Sequence, residues 1–186
     1  LYHGGGLDMA VNDYHFITQW RIENTTVAEI MEILSDAEDL KRWWPSVYLD
    51  VRVIEQGDAN GVGKWVNLYT KGWLPYTLRW QFRVSDVSEN GFGLNAEGDF
   101  VGRGEWTFKP DGNAVLVTYD WRIRADKPLL RLFSFIMKPL FSANHHWAMA
   151  RGEESLRLEL LRRHAKTAEE HAAVPPPPPP TWGRFG

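Results

Sequence analysis

The chain contains no cysteine. Disulfides, thiolate metal sites and cysteine nucleophiles are therefore excluded, and the absence fits a reducing compartment, with the cytoplasm the expected location. No apolar run is long enough to span a bilayer, and no charged-then-apolar leader opens the sequence. Stable membrane insertion is not expected; transient membrane contact stays open. Basic excess is also missing: 21 Lys and Arg against 24 Asp and Glu give a net charge of -3, which argues against a nucleic-acid partner. Walker A, dinucleotide-fingerprint and G-x-S-x-G motifs are absent, so no cofactor is expected.

What is abundant is tryptophan, with ten among 186 residues. Each buries a large apolar area and needs a partner for its N–H when interior. So many indoles in so short a chain imply a large apolar interior, an apolar ligand surface, or both.

Residues 14–23 alternate, with Phe16, Thr18, Trp20 and Ile22 on one face, which predicts a strand. Thr26-x-x-Glu29 forms a capping box ahead of Val27, Ile30, Ile33 and Leu34 at helical spacing. A second short helix starts at Asp36, carries Leu40, Trp43 and Trp44, and stops at Pro45. Six further strands are predicted over 47–56, 64–70, 77–87, 92–98, 102–108 and 115–124. They are separated by turn-rich stretches such as "GDANGVG", "KGWLPY" and "KPDGN". Their half-polar alternation fits an antiparallel sheet with one buried and one wet face. After Pro128 the pattern turns helical: 129–141 is apolar nearly all round, Pro139 is a predicted kink, and an amphipathic helix continues to about His164. Residues 1–13, in which 1–8 precede the first methionine, are expected to lie outside the fold. Residues 165–186, with a run of six prolines, are expected to be a disordered tail.

The stretches "LSDAEDLKRWWP", "GVGKWVNLYTKGWLPYTLRW", "GRGEWTFKPDGNAVLVTYDWRI" and "KPLLRLFSFIMKPLFSANHHWAMARGEESL" resemble the START and polyketide cyclase (SRPBCC) superfamily, in its polyketide cyclase/dehydrase and lipid-transport-like branch. The resemblance covers roughly residues 14–163. It implies an α+β helix-grip domain over 14–164: a curved, seven-stranded antiparallel sheet around a long C-terminal helix, with two short helices after the first strand. It also implies an apolar cavity between sheet and helix.

On that basis Trp80, Phe82, Trp106, Phe108, Tyr119 and Trp121 are the candidate ligand contacts from the sheet. Phe141, His145, Met149 and Gly152, which recur on one helical face, are those from the helix. Solid core packing is the competing reading for each. Trp73, Leu74 and Tyr76 of "KGWLPY" are candidates for the cavity rim, with "RADKP" as a companion gate.

The adjacent histidines in "ANHHWAMARGEES" do not form a metal site. Successive helix residues point about 100° apart, and no His, Asp or Glu stands at the i,i+3 or i,i+4 offsets a helical metal pair needs. His145 lies within the inward stripe and His146 flanks it. His145 either completes the core through a hydrogen bond, to a backbone carbonyl or to Tyr119, or anchors a ligand's polar group. Glu97, Asp99, Glu105 and Asp120 are read as wet-face carboxylates paired with Arg79, Arg83, Arg103 and Arg122.

The leading expectation is a cofactor-free carrier of a small hydrophobic molecule: a lipid, isoprenoid or polyketide. A cyclase or aromatase, and an interaction module acting through the proline tail, are the alternatives. Catalytic residues and oligomeric state are not legible.

Overall fold

In the computed structural model, residues 13–125 and 128–181 are described, the side chains of 125 and 128–137 excepted. The expectations for 1–12, for the middle of "RADKP", for the apolar wall over 129–137 and for the last five residues fall outside these.

The element order is β1 (Asp13–Glu23), α1 (Val27–Ser35), a 3-10 turn (Ala37–Asp39), α2 (Leu40–Trp43), β2 (Tyr48–Glu55), β3 (Trp65–Lys71), β4 (Thr77–Ser88), β5 (Gly91–Gly98), β6 (Phe100–Asp111), β7 (Ala114–Ala125), α3 (Pro128–His164) and α4 (Ala168–Ala173). The seven strands form one antiparallel sheet in the order β1-β7-β6-β5-β4-β3-β2. Register shifts in β2 and at Val84/Asp86 of β4 mark the bulges, devices that bend a strand and sharpen its twist. The predicted α+β helix-grip fold is thus present.

Local signals act as read. The Thr26 hydroxyl accepts from the Glu29 amide at 3.2 Å, and the Glu29 carboxylate accepts from the Thr26 amide at 2.9 Å. This reciprocal cap starts α1, whose Ile30, Ile33 and Leu34 are buried. On the wet face, Glu105 stands opposite Asp120 in the register. Asp120 pairs with Arg122 and His15 at 3.0 Å each.

α3 does not lie evenly on the sheet. Its C-terminal half is sealed down: Leu156 is wholly buried and Leu160 nearly so. Glu159, 3% exposed, receives Arg42 at 2.7 Å, Arg163 at 3.0 Å and Arg162 at 3.2 Å, which ties α2 to α3. Burial alone would raise the Glu159 pKa; the Arg42 and Arg163 guanidiniums outweigh it and hold the carboxyl below its ordinary value. Gly152 sits directly under the Trp44 indole, and any Cβ there would overlap the ring.

The tail departs from expectation. Thr167 and Glu170 form a second reciprocal capping box, which starts α4 inside the segment expected to be disordered. The chain beyond it returns to the body: Arg162 donates to the Pro175 carbonyl at 3.0 Å, and Thr181 to the Gly72 carbonyl at 3.3 Å. The order comes from these contacts, because a proline run supplies no hydrogen bonds of its own.

Replacing Gly152 with Ala should destabilise the fold by about 1–3 kcal/mol through overpacking against Trp44. Urea unfolding reads this directly, and an unchanged midpoint would refute the contact.

Candidate ligand-binding site

A cavity of about 120 Å³ lies beside α3 on the N-terminal side of Gly152, next to the clamped segment. Phe141, His145 and Met149, one helical turn apart, share the face of α3 turned to the strands. β1 contributes Tyr14 and Phe16, the turn after α2 contributes Trp44 and Val47, and the start of β2 contributes Tyr48. Thr70, Lys71, Gly72, Tyr76, Leu78 and Trp80 come from β3, β4 and their connection. Phe100, Tyr119, Trp121 and Ile123 come from β6 and β7, and Phe141, Asn144, His145, Ala148 and Met149 from α3.

The sequence-derived set divides here. Trp80, Tyr119, Trp121, Phe141, His145 and Met149 line the cavity, and so does Tyr76 of the rim candidates. Phe82, Trp106, Phe108 and Gly152 are not among the lining residues. Trp106 is stacked on Tyr119 at 4.1 Å and packed against Trp20 at 5.5 Å, while Phe108 packs on Phe92. Phe82 borders a second concavity, with Met31, Leu34 and Phe92, at the other end of the sheet. Phe82, Trp106 and Phe108 share the inward parity of the lining strand residues but pack into the core away from the cavity, Phe82 beside Met31 and Leu34 of α1, and the space at Gly152 is occupied by the Trp44 indole. Of the other rim candidates, Leu74 is buried and its amide donates to the Asn144 side chain at 3.1 Å. Trp73 is not among the lining residues either.

Tyr14, Phe16, Tyr48 and Asn144 were missed as site residues. The alternation of β1 already placed Phe16 inward, and Tyr14 shares its parity. Asn144 carried no such signal, because its role depends on the β3–β4 connection folding back against α3.

The cavity's polar groups are few. The Trp80 indole N–H donates to Thr70 Oγ1 at 3.0 Å. Burial raises the pKa of Tyr119, Tyr48, Tyr76 and Tyr14 above the ordinary phenol value, so all four are neutral at physiological pH. Burial lowers that of the Lys71 ammonium. His145 stacks on Phe16 with ring centroids 4.1 Å apart. Its Nε2 is buried and has no hydrogen-bond partner; the expected bond to Tyr119 is not made, because that ring lies in the Trp106–Tyr119–Trp121 stack. Desolvation, helped by the neighbouring His146, lowers the His145 pKa to about 4. His146 is exposed, and its Nδ1 lies 2.7 Å from the Ser142 carbonyl of its own helix. Among the described residues, no cluster of three or more His, Asp or Glu is placed to hold a metal. No described helix is long and apolar enough to cross a membrane.

Residues 24–149 match the family described as polyketide cyclase / dehydrase and lipid transport. The chain belongs to this family. Among solved structures, this family member is similar to TTHA0849 of Thermus thermophilus, with 17% identity, TM-score 0.65, and 82% of this chain and 100% of that one covered. It is also similar to the Zhui aromatase/cyclase of Streptomyces sp. R1128, with 16% identity, TM-score 0.61 and coverage of 84% and 98%. A START superfamily protein of Mycobacterium smegmatis follows with 16% identity, TM-score 0.59 and coverage of 76% and 98%. At these identities the likeness concerns the fold. No curated protein matches the sequence significantly.

The buried imidazole makes stability depend on pH. With a folded pKa near 4 against an ordinary 6.5, the unfolded chain takes up the proton first. Stability is therefore full above pH 6.5 and falls as pH drops toward 4, by about 3 kcal/mol across that window. In His145→Gln this component should vanish. Superimposable urea midpoints of the two proteins from pH 7 to pH 4.5 would contradict it.

Proposed function

We propose that this protein binds and carries a small apolar molecule in the cavity between sheet and α3, with His145 orienting the molecule through one polar group. The observation that carries the reading is an aromatic-lined cavity holding a buried imidazole nitrogen without a partner. An unsatisfied buried polar atom is destabilising by about 1–3 kcal/mol, and a ligand hydroxyl or carbonyl would relieve it. Affinity would come from apolar burial at about 25 cal/mol per Å².

The volume narrows the ligand. About 120 Å³ is close to the space that holds one benzene ring, an engineered cavity of about 150 Å³ being the reference case. A single ring or one isoprene-sized branch fits as the walls stand; a second fused ring, a longer lipid or a polyketide needs the rim to move. The family description, which joins lipid transport with polyketide cyclisation, supports a ligand drawn from those apolar classes. The cytoplasm is the proposed location, where a chain without cysteine needs no disulfide.

A second reading, polyketide cyclisation, is favoured by the convergence of Tyr48, Tyr119 and His145 on one cavity. It is the weaker one. A group that shuttles protons at neutral pH needs a pKa near 7, and burial moves both phenols up and the imidazole down. These groups are suited to donating and accepting hydrogen bonds with a held molecule.

Calorimetric titration with 1-naphthol and naphthalene separates anchoring from burial. His145→Phe should weaken 1-naphthol binding about five- to tenfold, the worth of one hydrogen bond, and change naphthalene binding less than twofold. Equal losses would remove the anchoring role. Absence of binding by either probe, together with no apolar mass retained in native mass spectrometry of protein from its own host, would remove the carrier reading.

A further inference from the structure

The proline run lies against the domain in a regular way. A polyproline II helix has three residues per turn, so positions i, i+3 and i+6 share one face. Val174, Pro177 and Pro180 are that face and are half-buried, as is Pro178; Pro175, Pro176 and Pro179 are exposed. The period of burial is the period of the helix. One side of the run is therefore packed and the other faces solvent.

Both ends of the run are fixed. α4 turns the chain back after α3, and the Arg162 guanidinium holds the Pro175 carbonyl at 3.0 Å. Six residues later, the Thr181 hydroxyl donates to the Gly72 carbonyl at 3.3 Å. At about 3.1 Å per residue the run spans about 19 Å. The stretch of α3 from Arg162 back to Asn144 rises about 27 Å. The run thus covers most of the distance from the clamped end of α3 to the level of the cavity.

Its end point is not arbitrary. Gly72 lines the cavity and opens the connection that carries Trp73, Leu74 and Tyr76. This connection is held to α3 by Asn144: the side-chain amide lies against the Gly72 Cα where a Cβ would stand, and its Oδ1 accepts from the Leu74 amide at 3.1 Å. Asn144 grips the connection from the helix side, and Thr181 grips it from the tail.

We propose that residues 174–181 form a strap that holds the β3–β4 connection closed over the cavity, and that release of the strap sets the rate at which apolar ligands enter and leave. The strap and Asn144 are two latches on one element. Proline suits the part, because the run is already extended and loses little chain entropy on docking. The proposal rests on the carrier reading for its purpose, but not for its geometry.

The test uses the full-length chain in three forms: wild type, Thr181→Val, and a variant with Pro177→Ser, Pro178→Ser and Pro180→Ser. Amide hydrogen exchange of Leu74 requires no ligand. It should accelerate about threefold in Thr181→Val and tenfold or more in the triple variant, while amides of Leu156 and Leu160 stay unchanged. Stopped-flow release of N-phenyl-1-naphthylamine, a three-ring probe larger than the closed cavity, should accelerate by similar factors, with association faster in step and the equilibrium constant changed less than about threefold. Leu74 exchange equal to wild type in both variants overturns the strap. So does faster Leu74 exchange with unchanged probe rates, because the connection would then not be the gate. Faster exchange in a protein that binds no probe at all overturns gating as well, and marks the failure as that of the carrier reading, with the docking of the tail left standing.

Discussion

The structure turns on the closeness with which α3 can approach the sheet. A seven-stranded antiparallel sheet has one apolar face that it cannot bury by itself, and α3 covers it together with α1 and α2. Gly152 sets the approach at one end, because only a residue without a Cβ admits the Trp44 indole. From there toward the C-terminus, Leu156 and Leu160 pack down and Glu159 collects three arginines. From there toward the N-terminus, Met149, His145 and Phe141 stand between helix and strands. The cavity lies on this side of the clamp.

This geometry accounts for the use made of tryptophan. Trp43 and Trp44 lie in the clamp, Trp20 and Trp106 lie beside it, and Trp80 and Trp121 form the cavity wall. Trp121, Tyr119 and Trp106 make one continuous stack along the concave face. The same aromatic surface is therefore solid core at one end and binding wall at the other, with no change of residue type between them. It also places His145 within reach of any molecule in the cavity, with the imidazole held neutral by burial.

Strand alternation and the Thr26–Glu29 box carried the fold, because both are local patterns with a fixed period or offset. Helical spacing likewise set His145 within the inward stripe of α3 and His146 at its flank. The division of inward aromatics between core and cavity was not legible. Parity tells which face of the sheet a residue occupies, and says nothing about which helix lies opposite; Phe82 borders Met31 and Leu34 of α1, whereas Trp80, two residues away on the same face, borders the α3 cavity. The tail departs from its reading for a different reason. Thr167 and Glu170 repeat the offset of Thr26 and Glu29, so the start of α4 was available in the sequence. The docking of the prolines was not, because it depends on Arg162 and Gly72, which are distant in sequence or on another element.

The central claim is that apolar molecules enter the cavity between the sheet and α3. Methionine methyl resonances test it most directly. Met149 lines the cavity, and Met31 lines the separate concavity at the other end of the sheet. With protein carrying 13C at the methionine methyls, titration with 1-naphthol should shift the Met149 signal to saturation and leave Met31 in place. A shift at Met31 with Met149 unmoved, or no shift at either, would contradict the account.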